Sequence, residues 1–300
     1  MTLARTGEQH EISRHGQHAV VVEVGGGLRS YRADGEDVLD GYGEGASADG
    51  GRGQPLIPWP NRLRDGRYEW DGEEHQLPLS EPERANAIHG LVRWRNWHAL
   101  ERAPDRVTLG LTLFPTPGYP FTLELEIDYA LGEDGLTVTA RATNAGERAC
   151  PYGVGFHPYL AAGGPIDAAT LMIPARRVLV ADERAIPTGS AEVAGTPLDF
   201  RGGRELGAAV LDHCFTELQR DGDGRARITL AGAQRTIDLW QDVAYGHVMV
   251  YTGDGLSPEK RRHGVAVEPM SCPPNAFASG EALIRLEPGE RHTAQWGIEP

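Results

Sequence analysis

The chain has 300 residues, enough for one large domain or two ordinary ones, and 40% of them are hydrophobic, which allows a sizeable core. Its formal net charge of −14 disfavours contact with nucleic acid or anionic lipid, so we expect neither as a partner. The three cysteines, Cys150, Cys214 and Cys272, are far apart and odd in number, which argues against a disulfide framework or a CxxC metal site.

The sequence contains no segment of the kind that directs a chain into or across a membrane. The N-terminal stretch MTLARTGEQHEISRHGQH lacks the apolar region of a signal peptide. No apolar run approaches the ~20 residues that a membrane helix needs. We therefore expect a cytoplasmic protein.

Short strands dominate the pattern of the first half. Residues 21–30, VVEVGGGLRS, indicate a strand and a tight hairpin turn, because the third glycine and the helix of a GxGxxG nucleotide loop are absent. Residues 107–113 and 121–129 alternate apolar and polar side chains, the pattern of half-buried strands. The stretch GEDG, residues 132–135, then predicts a hairpin to a strand over residues 136–144.

The second half continues in the same way. Strands are predicted over residues 226–232, 235–240, 247–253, 264–269 and 282–289, and helical periodicity is hard to find. The 39 glycines and 21 prolines, about a fifth of the chain, indicate many short turns. We therefore predict an all-β sandwich or barrel that forms a single domain over residues 1–300. The glycine-rich residues 43–55 form the most flexible-looking segment.

Three motifs contain polar side chains that could hold a ligand. In PWPNR, Arg62 follows a proline-stiffened turn around Trp59 and could donate a fork of hydrogen bonds to hydroxyls or a carboxylate. In ANAIHG, His89 precedes Gly90, where the backbone can turn sharply. In LDHCF, Asp212 lies beside a histidine. Taken singly, a surface arginine and a turn-capping aspartate are the ordinary explanations of Arg62 and Asp212.

The stretch GVGFHPYL contains a histidine that either packs in the interior or transfers a proton. The reference pKa of histidine is about 6.5, so His157 could exist in both forms near neutral pH. If the segment is extended, Phe156 points to the opposite face and packs in the core. Pro158 restricts the backbone next to it.

The stretch GVAVEPMSCPPNAF contains the best candidate for a general base. Strand alternation puts Glu268 on the face opposite Val265 and Val267, beside small side chains that leave room for a ligand. Pro269 is predicted to end the hydrogen bonding of the strand. The ordinary explanation of Glu268 is a strand-end salt bridge.

Six motifs in this order, PWPNR, IHG, GFHPY, DHCF, VYTG and VEPMSCPPNAF, resemble the aldose 1-epimerase family, also called galactose mutarotases. The resemblance extends along nearly the whole chain. It implies a large antiparallel β-sandwich of the galactose mutarotase-like supersandwich type, with an open sugar-binding cleft and with no metal or cofactor. It also implies Glu268 as catalytic base and His157 as catalytic acid. The substrate-holding residues that we assign to the cleft are Arg62, His89, Asp212, Tyr251 and Trp59.

The reaction that the resemblance implies is the interconversion of the α and β anomers of a free aldose. A glutamate takes the proton of the C1 hydroxyl while a protonated histidine gives one to the ring oxygen, and the ring opens. After rotation about the C1–C2 bond, the two groups reverse their roles and the ring closes on the other face. The chemistry requires no metal, redox or covalent step.

Departures from the commoner family pattern leave the identity of the sugar open. Phe156 precedes His157 where commoner members have asparagine, Leu91 stands in place of a second glycine, and Pro269 follows Glu268 in place of threonine. The PWPNRLRDG segment resembles a branch that includes mutarotases of modified sugars. Four arginines near these motifs could hold a sulfonate or phosphate on a sugar, or merely balance the acidic surface: Arg62, Arg64, Arg93 and Arg95.

Two other functions remain as alternatives. A sugar-binding or sensing protein could use the same cleft without needing an acid and a base on one pyranose. A glycoside hydrolase or lyase usually needs two carboxylates that flank the bond. The sequence offers Glu268 as a strong candidate and Asp212 as a possible second. For the epimerase we expect a small aldose as the partner, and a monomer or homodimer as the assembly.

Overall fold

In the computed structural model, which describes residues 4–161 and 163–300, the chain folds into short strands with very little helix. The strands of the first half are β1 (Gln9–Arg14), β2 (Gln17–Val22), β3 (Leu28–Ala33), β4 (Glu36–Asp37), β5 (Pro55–Leu56), β6 (Arg62–Arg64), β7 (Arg67–Trp70), β8 (Glu73–Gln76), β9 (Asn86–Ile88), β10 (His98–Ala103), β11 (Arg106–Leu113), β12 (Leu123–Leu131) and β13 (Leu136–Asn144).

The strands of the second half are β14 (Cys150–Tyr152), β15 (Gly155–Phe156), β16 (Tyr159–Ala161), β17 (Thr170–Met172), β18 (Ala175–Ala181), β19 (Pro187–Glu192), β20 (Arg204–Glu205), β21 (Asp212–Leu218), β22 (Ala226–Ala231), β23 (Thr236–Gln241), β24 (His247–Tyr251), β25 (Gly264–Met270), β26 (Ile284–Leu286) and β27 (Arg291–Glu299). The short helix α1 spans Ala276–Ser279, and single 3-10 turns span Pro82–Arg84 and Ile166–Ala168. Within the described ranges no helix is long and apolar enough to cross a membrane.

Two large antiparallel sheets contain most of the strands. The nine-stranded sheet has the order β10-β11-β12-β13-β27-β23-β22-β17-β20. The second sheet has the order β19-β18-β21-β24-β25-β15-β5, and β16 also pairs with β25. The strands β1 to β4 form a separate small sheet. The second of the two large sheets, which contains β25, positions the candidate site.

One hydrophobic core lies between the two large sheets. It includes Ile127 of β12 from the first sheet and Val265 and Val267 of β25 from the second. Phe156 joins the two layers, since its ring centroid lies 5.3 Å from that of Trp296 in β27. The predicted all-β class and the antiparallel sandwich are confirmed, and Phe156 packs in the core as expected.

The hairpin predicted at residues 132–135 is confirmed. β12 and β13 pair as far as Leu131 and Leu136, and Gly132 donates its N–H to the carbonyl oxygen of Gly135. The strand predicted over residues 121–129 begins and ends two residues later, because this tight turn keeps the pairing intact up to Leu131. The hairpin predicted around residues 21–30 also forms, between β2 and β3.

The prediction that Pro269 ends its strand is wrong. β25 continues to Met270, and Pro269 pairs in register with Val248 of β24. Proline lacks only its own N–H, and the residues on either side remain bonded. Val267 donates to the carbonyl of Pro158, and Ser271 donates to that of Val154. The sheet therefore extends past the proline and supports Glu268 from both sides.

We predict that the Phe156→Ala variant loses about 3–5 kcal/mol of unfolding free energy, because it leaves a cavity between the sheets against Trp296. The measurement is the shift of the urea midpoint at constant m-value. The Phe114→Ala variant is the control, since this side chain is 68% exposed and its loss should change stability by at most about 0.5 kcal/mol. Equal shifts for the two variants would contradict the packing role of Phe156.

Candidate active site

The outer face of the second sheet places a row of side chains beside Glu268. Glu268 of β25 pairs in register with Met249 of β24, which in turn pairs with Cys214 of β21. Paired residues point to the same side of a sheet, so these three share one face, while Val265 and Val267 point into the core. The alternation predicted for this strand is confirmed. The next row on the same face consists of Ala266, Tyr251 and Asp212.

The strand pairing also explains why His157 lies opposite Glu268. Gly155 of β15 pairs with Met270, and Tyr159 of β16 pairs with Ala266, both on β25. His157 lies midway between these two points, which brings it to the level of Glu268. Nε2 of His157 lies 3.2 Å from Oε1 of Glu268. Both residues are buried, at 5% and 2% exposure.

The PWPNR and IHG motifs meet beside this pair. β6 and β9 pair Arg62 with Ile88, which sets Asn61 next to His89. His89 donates its backbone N–H to the Asn61 carbonyl at 2.9 Å, and the Asn61 N–H donates to Nδ1 of His89 at 3.3 Å. The ring centroid of His89 lies 5.4 Å from that of His157, with the rings edge to face.

The backbone at this meeting point turns as the sequence predicted. His89 and Gly90 both have positive φ, at 62° and 70°. A Cβ on Gly90 would lie 2.0 Å from the carbonyl oxygen of Ile57, so only glycine fits there. The turn directs the His89 ring towards His157.

The donor atoms of His89, His157 and Glu268 lie within 4.8 Å of one another, which is a spacing that a metal ion could use. The hydrogen bonds favour proton transfer instead. Nδ1 of His89 accepts the Asn61 N–H, so in the neutral ring Nε2 holds the proton and donates rather than ligates. Nε2 of His157 is engaged with Glu268 directly. The arrangement places an imidazole and a carboxyl group 3.2 Å apart, close enough for a proton to pass between them.

Burial disfavours charge on both members of the central pair. Desolvation, together with the nearby charge of Arg93, lowers the pKa of His157 to about 3. Desolvation raises the pKa of Glu268 well above its ordinary value, and the charge of Asp212 acts in the same direction. Both shifts favour the uncharged forms, a protonated Glu268 beside a neutral His157. Desolvation and Arg93 likewise lower the pKa of His89.

Arg62 is fixed by Glu81, a residue that the sequence analysis did not single out. Nε of Arg62 donates to both carboxylate oxygens of Glu81 at 2.9 and 3.1 Å, and Nη2 donates at 3.0 Å. Glu81 also accepts a hydrogen bond from the Asn86 side chain. The acidic stretch SEPER could have suggested a partner, but nothing in its spacing points to residue 62. This geometry holds the guanidinium rigidly at the edge of the site.

The four arginines near the motifs differ in their pairing. Arg64 pairs with Asp182, and Arg95 is exposed. Arg93 has no carboxylate partner among the described residues, its Nε has no hydrogen-bond partner there, and its Nη2 reaches only the Ile88 carbonyl at 3.4 Å. Burial lowers the pKa of Arg93 to about 10, which still leaves it charged at neutral pH. Arg93 is thus the uncompensated positive charge near His89 and His157.

Of the remaining predicted residues, Asp212 and Tyr251 lie on the outer face of the second sheet, whereas Trp59 lies with the core. Asp212 and Tyr251 are register partners on the outer face of the second sheet, and the Tyr251 hydroxyl accepts the N–H of Gly255 at 2.8 Å. Trp59 is 3% exposed and its ring packs against Phe277, so it lies with the core rather than in the open cleft. The substrate contact assigned to Trp59 stays a prediction.

We predict that the His157–Glu268 pair gives the protein its greatest stability between about pH 4.5 and 6.5. Across this range the folded chain holds one proton on the two groups, on Glu268, and the unfolded chain also holds one, on His157. Unfolding therefore does not change the number of bound protons, so the stability does not vary with pH. Below pH 4.5 the unfolded chain holds one proton more than the folded chain on these two groups, so stability falls as the pH falls. Above pH 6.5 it holds one fewer, so stability falls as the pH rises. The free energy of unfolding should therefore fall on each side of this range.

The measurement is the urea midpoint from pH 3 to 8 for the natural chain and for the double variant Glu268→Gln, His157→Gln. The difference between the two curves isolates the pair from all other titrating groups. A difference that does not change with pH would contradict the neutral, single-proton state of the pair.

Comparison with known proteins places this chain in a family. Residues 8–299 match the family model described as aldose 1-epimerase. The chain is 37% identical over 297 residues to the uncharacterized protein YihR of Escherichia coli, covering 98% of this chain and 93% of YihR. It is 29% identical over 261 residues to the galactose mutarotase of Rattus norvegicus, covering 77% and 73% of the two chains.

Solved structures show the same fold. The galactose 1-epimerase of Lactobacillus acidophilus superposes with a TM-score of 0.81 at 24% identity, covering 100% of this chain and 96% of that one. The GalM/aldose epimerase homologue of C. elegans superposes with a TM-score of 0.85 at 17% identity, covering 97% and 98%. With the family model matched across nearly its whole length, the chain belongs to the aldose 1-epimerase family.

Proposed function

We propose that the protein is an aldose 1-epimerase that interconverts the α and β anomers of a free aldose, with Glu268 as the base and His157 as the acid. The observation that carries the proposal is the 3.2 Å contact between Nε2 of His157 and Oε1 of Glu268, buried on the cleft face. The anomeric hydroxyl and the ring oxygen are bonded to the same carbon. An acid and a base that serve both must therefore lie side by side, as these two groups do.

The reaction starts when a sugar binds against the pair. The polar hydroxyls of the sugar offset part of the desolvation, so the proton of Glu268 moves to Nε2 of His157, 3.2 Å from Oε1 of Glu268. Glu268 then takes the proton of the C1 hydroxyl while His157 gives its proton to the ring oxygen. The bond between C1 and the ring oxygen breaks and leaves an open-chain aldehyde. After rotation about C1–C2 both transfers reverse and the ring closes, which leaves the proton on His157. It returns to Glu268 when the sugar leaves, and the pair is restored.

The neighbouring groups hold the sugar for this exchange. His89 presents Nε2–H towards the site as a donor, because its Nδ1 accepts the Asn61 N–H. Arg62 presents a guanidinium that Glu81 keeps in place. Asp212 and Tyr251 stand on the second row of the sheet face. We propose that these four residues contact sugar hydroxyls, and we retain Trp59 as a less direct candidate.

The contact between Glu268 and an imidazole favours the epimerase over the two alternatives. A glycoside hydrolase or lyase would place a second carboxylate across the bond, whereas the group that touches Glu268 is His157. A sugar-binding protein that only recognises its ligand has no use for a buried pair that exchanges one proton. We further propose a single-domain enzyme, monomeric or homodimeric, that acts in the cytoplasm without metal or cofactor.

We predict that the protein accelerates the change in optical rotation of a pure α-aldose above the spontaneous rate. The Glu268→Gln and His157→Ala variants should each lose roughly 10²–10⁴-fold of the catalysed rate, because each removes one of the two proton transfers. The measurement is polarimetry on glucose, galactose and further aldoses, with circular dichroism to verify folding.

Exposed residues of the same types provide the controls for this experiment. Glu205→Gln and His98→Ala should retain the full rate, since both side chains lie on the surface away from the pair. Full activity in a folded Glu268→Gln variant would overturn the mechanism. Binding of an aldose without any acceleration in the natural chain would favour the sugar-binding alternative.

We also propose that Arg93 selects sugars with an anionic substituent, because its charge has no carboxylate partner among the described residues. The KM for an aldose phosphorylated away from C1 should then be lower than for the neutral aldose. Arg93→Gln should raise that KM by about 10- to 100-fold, the value of a hydrogen bond to a charged group, and leave the neutral aldose nearly unchanged. Arg95→Gln is the matched control, and equal effects on both sugars would refute the role of Arg93.

A further inference from the structure

Within the described part of the chain, no hydrogen bond from another residue orients the imidazole of His157. Its Nε2 faces Glu268, and its buried Nδ1 has no hydrogen-bond partner among the described residues. A catalytic imidazole is usually oriented by a carboxylate or carbonyl on the second nitrogen. At His157 the orientation of the ring must therefore come from the groups packed around it.

A glycine-rich segment packs directly on this ring. A Cβ on Gly51 would lie 2.6 Å from Cδ2 of His157, so the bare backbone of Gly51 is in contact with the imidazole. Gly53 donates its backbone N–H to the His157 carbonyl at 2.9 Å, and the backbone N–H of His157 donates to the Gln54 carbonyl at 3.1 Å. The sequence pattern suggested flexibility over residues 43–55, yet residues 51–55 are buried against the site.

Tyr159 covers the ring from another side. Its ring centroid lies 5.1 Å from that of His157 with an interplanar angle of 13°, so the two rings are stacked. The contact is local, because His157 lies only two residues before Tyr159, which begins β16. The Tyr159 hydroxyl donates to the Gly50 carbonyl at 2.9 Å, which ties the stacked ring to the glycine segment.

Arg52 and Asp40 connect these parts into a closed set of contacts. The Arg52 guanidinium lies 4.4 Å from the centre of the Tyr159 ring and is almost fully buried. It pairs with Asp40 at 2.8 Å and with Asp49 at 3.2 Å. The backbone N–H of Asp40 donates to the Tyr159 carbonyl at 2.9 Å. Each part of the set is therefore held by at least two others.

We propose that Tyr159 and the segment Gly50–Arg52 are positioning groups that hold the His157 imidazole against Glu268. The inference rests on the proposed function, in which the acid must point at the ring oxygen beside the base. A rotation of the unanchored ring would move Nε2 away from Glu268 and from the sugar, and small misplacements of reacting groups can lower rates by about 10²-fold.

The first experiment separates this contact from ordinary backbone strain by comparing two glycine variants. Gly51→Ala and Gly35→Ala both place alanine at positive φ, 78° and 85°, but a Cβ on Gly35 meets nothing within 4 Å. We expect Gly51→Ala to lower kcat about 10- to 100-fold with little change in KM, and Gly35→Ala to leave kcat unchanged. Equal kcat for both folded variants would overturn the proposal.

A spectroscopic readout keeps the test independent of activity. The imidazole nitrogens of His157 can be followed by NMR with ¹⁵N-labelled histidine and assigned by their loss in His157→Ala. Gly51→Ala should shift these signals, and Gly35→Ala should not. If no aldose is epimerised by the natural chain, the proposed function fails, yet the NMR comparison still decides whether the segment holds the ring.

The second experiment separates the stacked ring of Tyr159 from its hydroxyl. Tyr159→Phe keeps the stack and loses the bond to Gly50, whereas Tyr159→Leu removes the stack. We expect Tyr159→Phe to keep nearly the natural kcat and Tyr159→Leu to lose at least about tenfold. A kcat for Tyr159→Leu equal to that of the natural chain would overturn the role of the stack.

The pH profile supplies a readout that a general loss of stability would not move. The charged or titratable groups that act on His157 are Glu268, His89, Arg93, Arg52 and Arg62. All of them remain in Tyr159→Leu, but water gains access to the pair and stabilises both its cationic and its anionic states. The bell-shaped profile of kcat should therefore narrow from both sides in Tyr159→Leu and keep its width in Tyr159→Phe. An unchanged width in Tyr159→Leu would refute the proposal.

Discussion

The buried contact between His157 and Glu268 is the interaction on which the organisation of the site depends. Two groups that each lose hydration can lie together in the interior only if they share one proton and remain neutral as a pair. The lowered pKa of His157 and the raised pKa of Glu268 express this constraint. A ligand that brings its own hydroxyl groups relaxes the constraint, which is why the pair suits a reaction that begins and ends with the same protons in place.

The sandwich supplies the contact through strand register rather than through any local motif. β25 is central in its sheet, and both β15 and β16 pair with it on the same side. The two pairings determine the height of His157 along β25 to within one residue. The opposite face of the same strands carries Val265, Val267 and Phe156 into the core. The packing that stabilises the fold therefore also fixes the distance between His157 and Glu268.

Much of this arrangement could be predicted from residue pattern. Period-two alternation identified the strands at residues 107–113, 136–144 and 264–269, because a strand with one buried face must alternate. The same rule placed Phe156 opposite His157 and Glu268 opposite Val267. The prediction that β25 ends at Pro269 was wrong, since one missing N–H does not interrupt a strand when the residues around the proline remain bonded on both sides.

The sequence by itself determined the fold class, the family and the residues that could exchange a proton, because alternation and motif order are properties of local chemistry. Only the tertiary structure decided which side chains meet. Glu81 holds Arg62 from 19 positions away, and Gly51 reaches His157 across more than a hundred residues. It also decided that Arg93 stays without a carboxylate partner in the described part of the chain while Arg62 and Arg64 are paired. Such contacts depend on strand register and burial, which arise only when distant segments pack together.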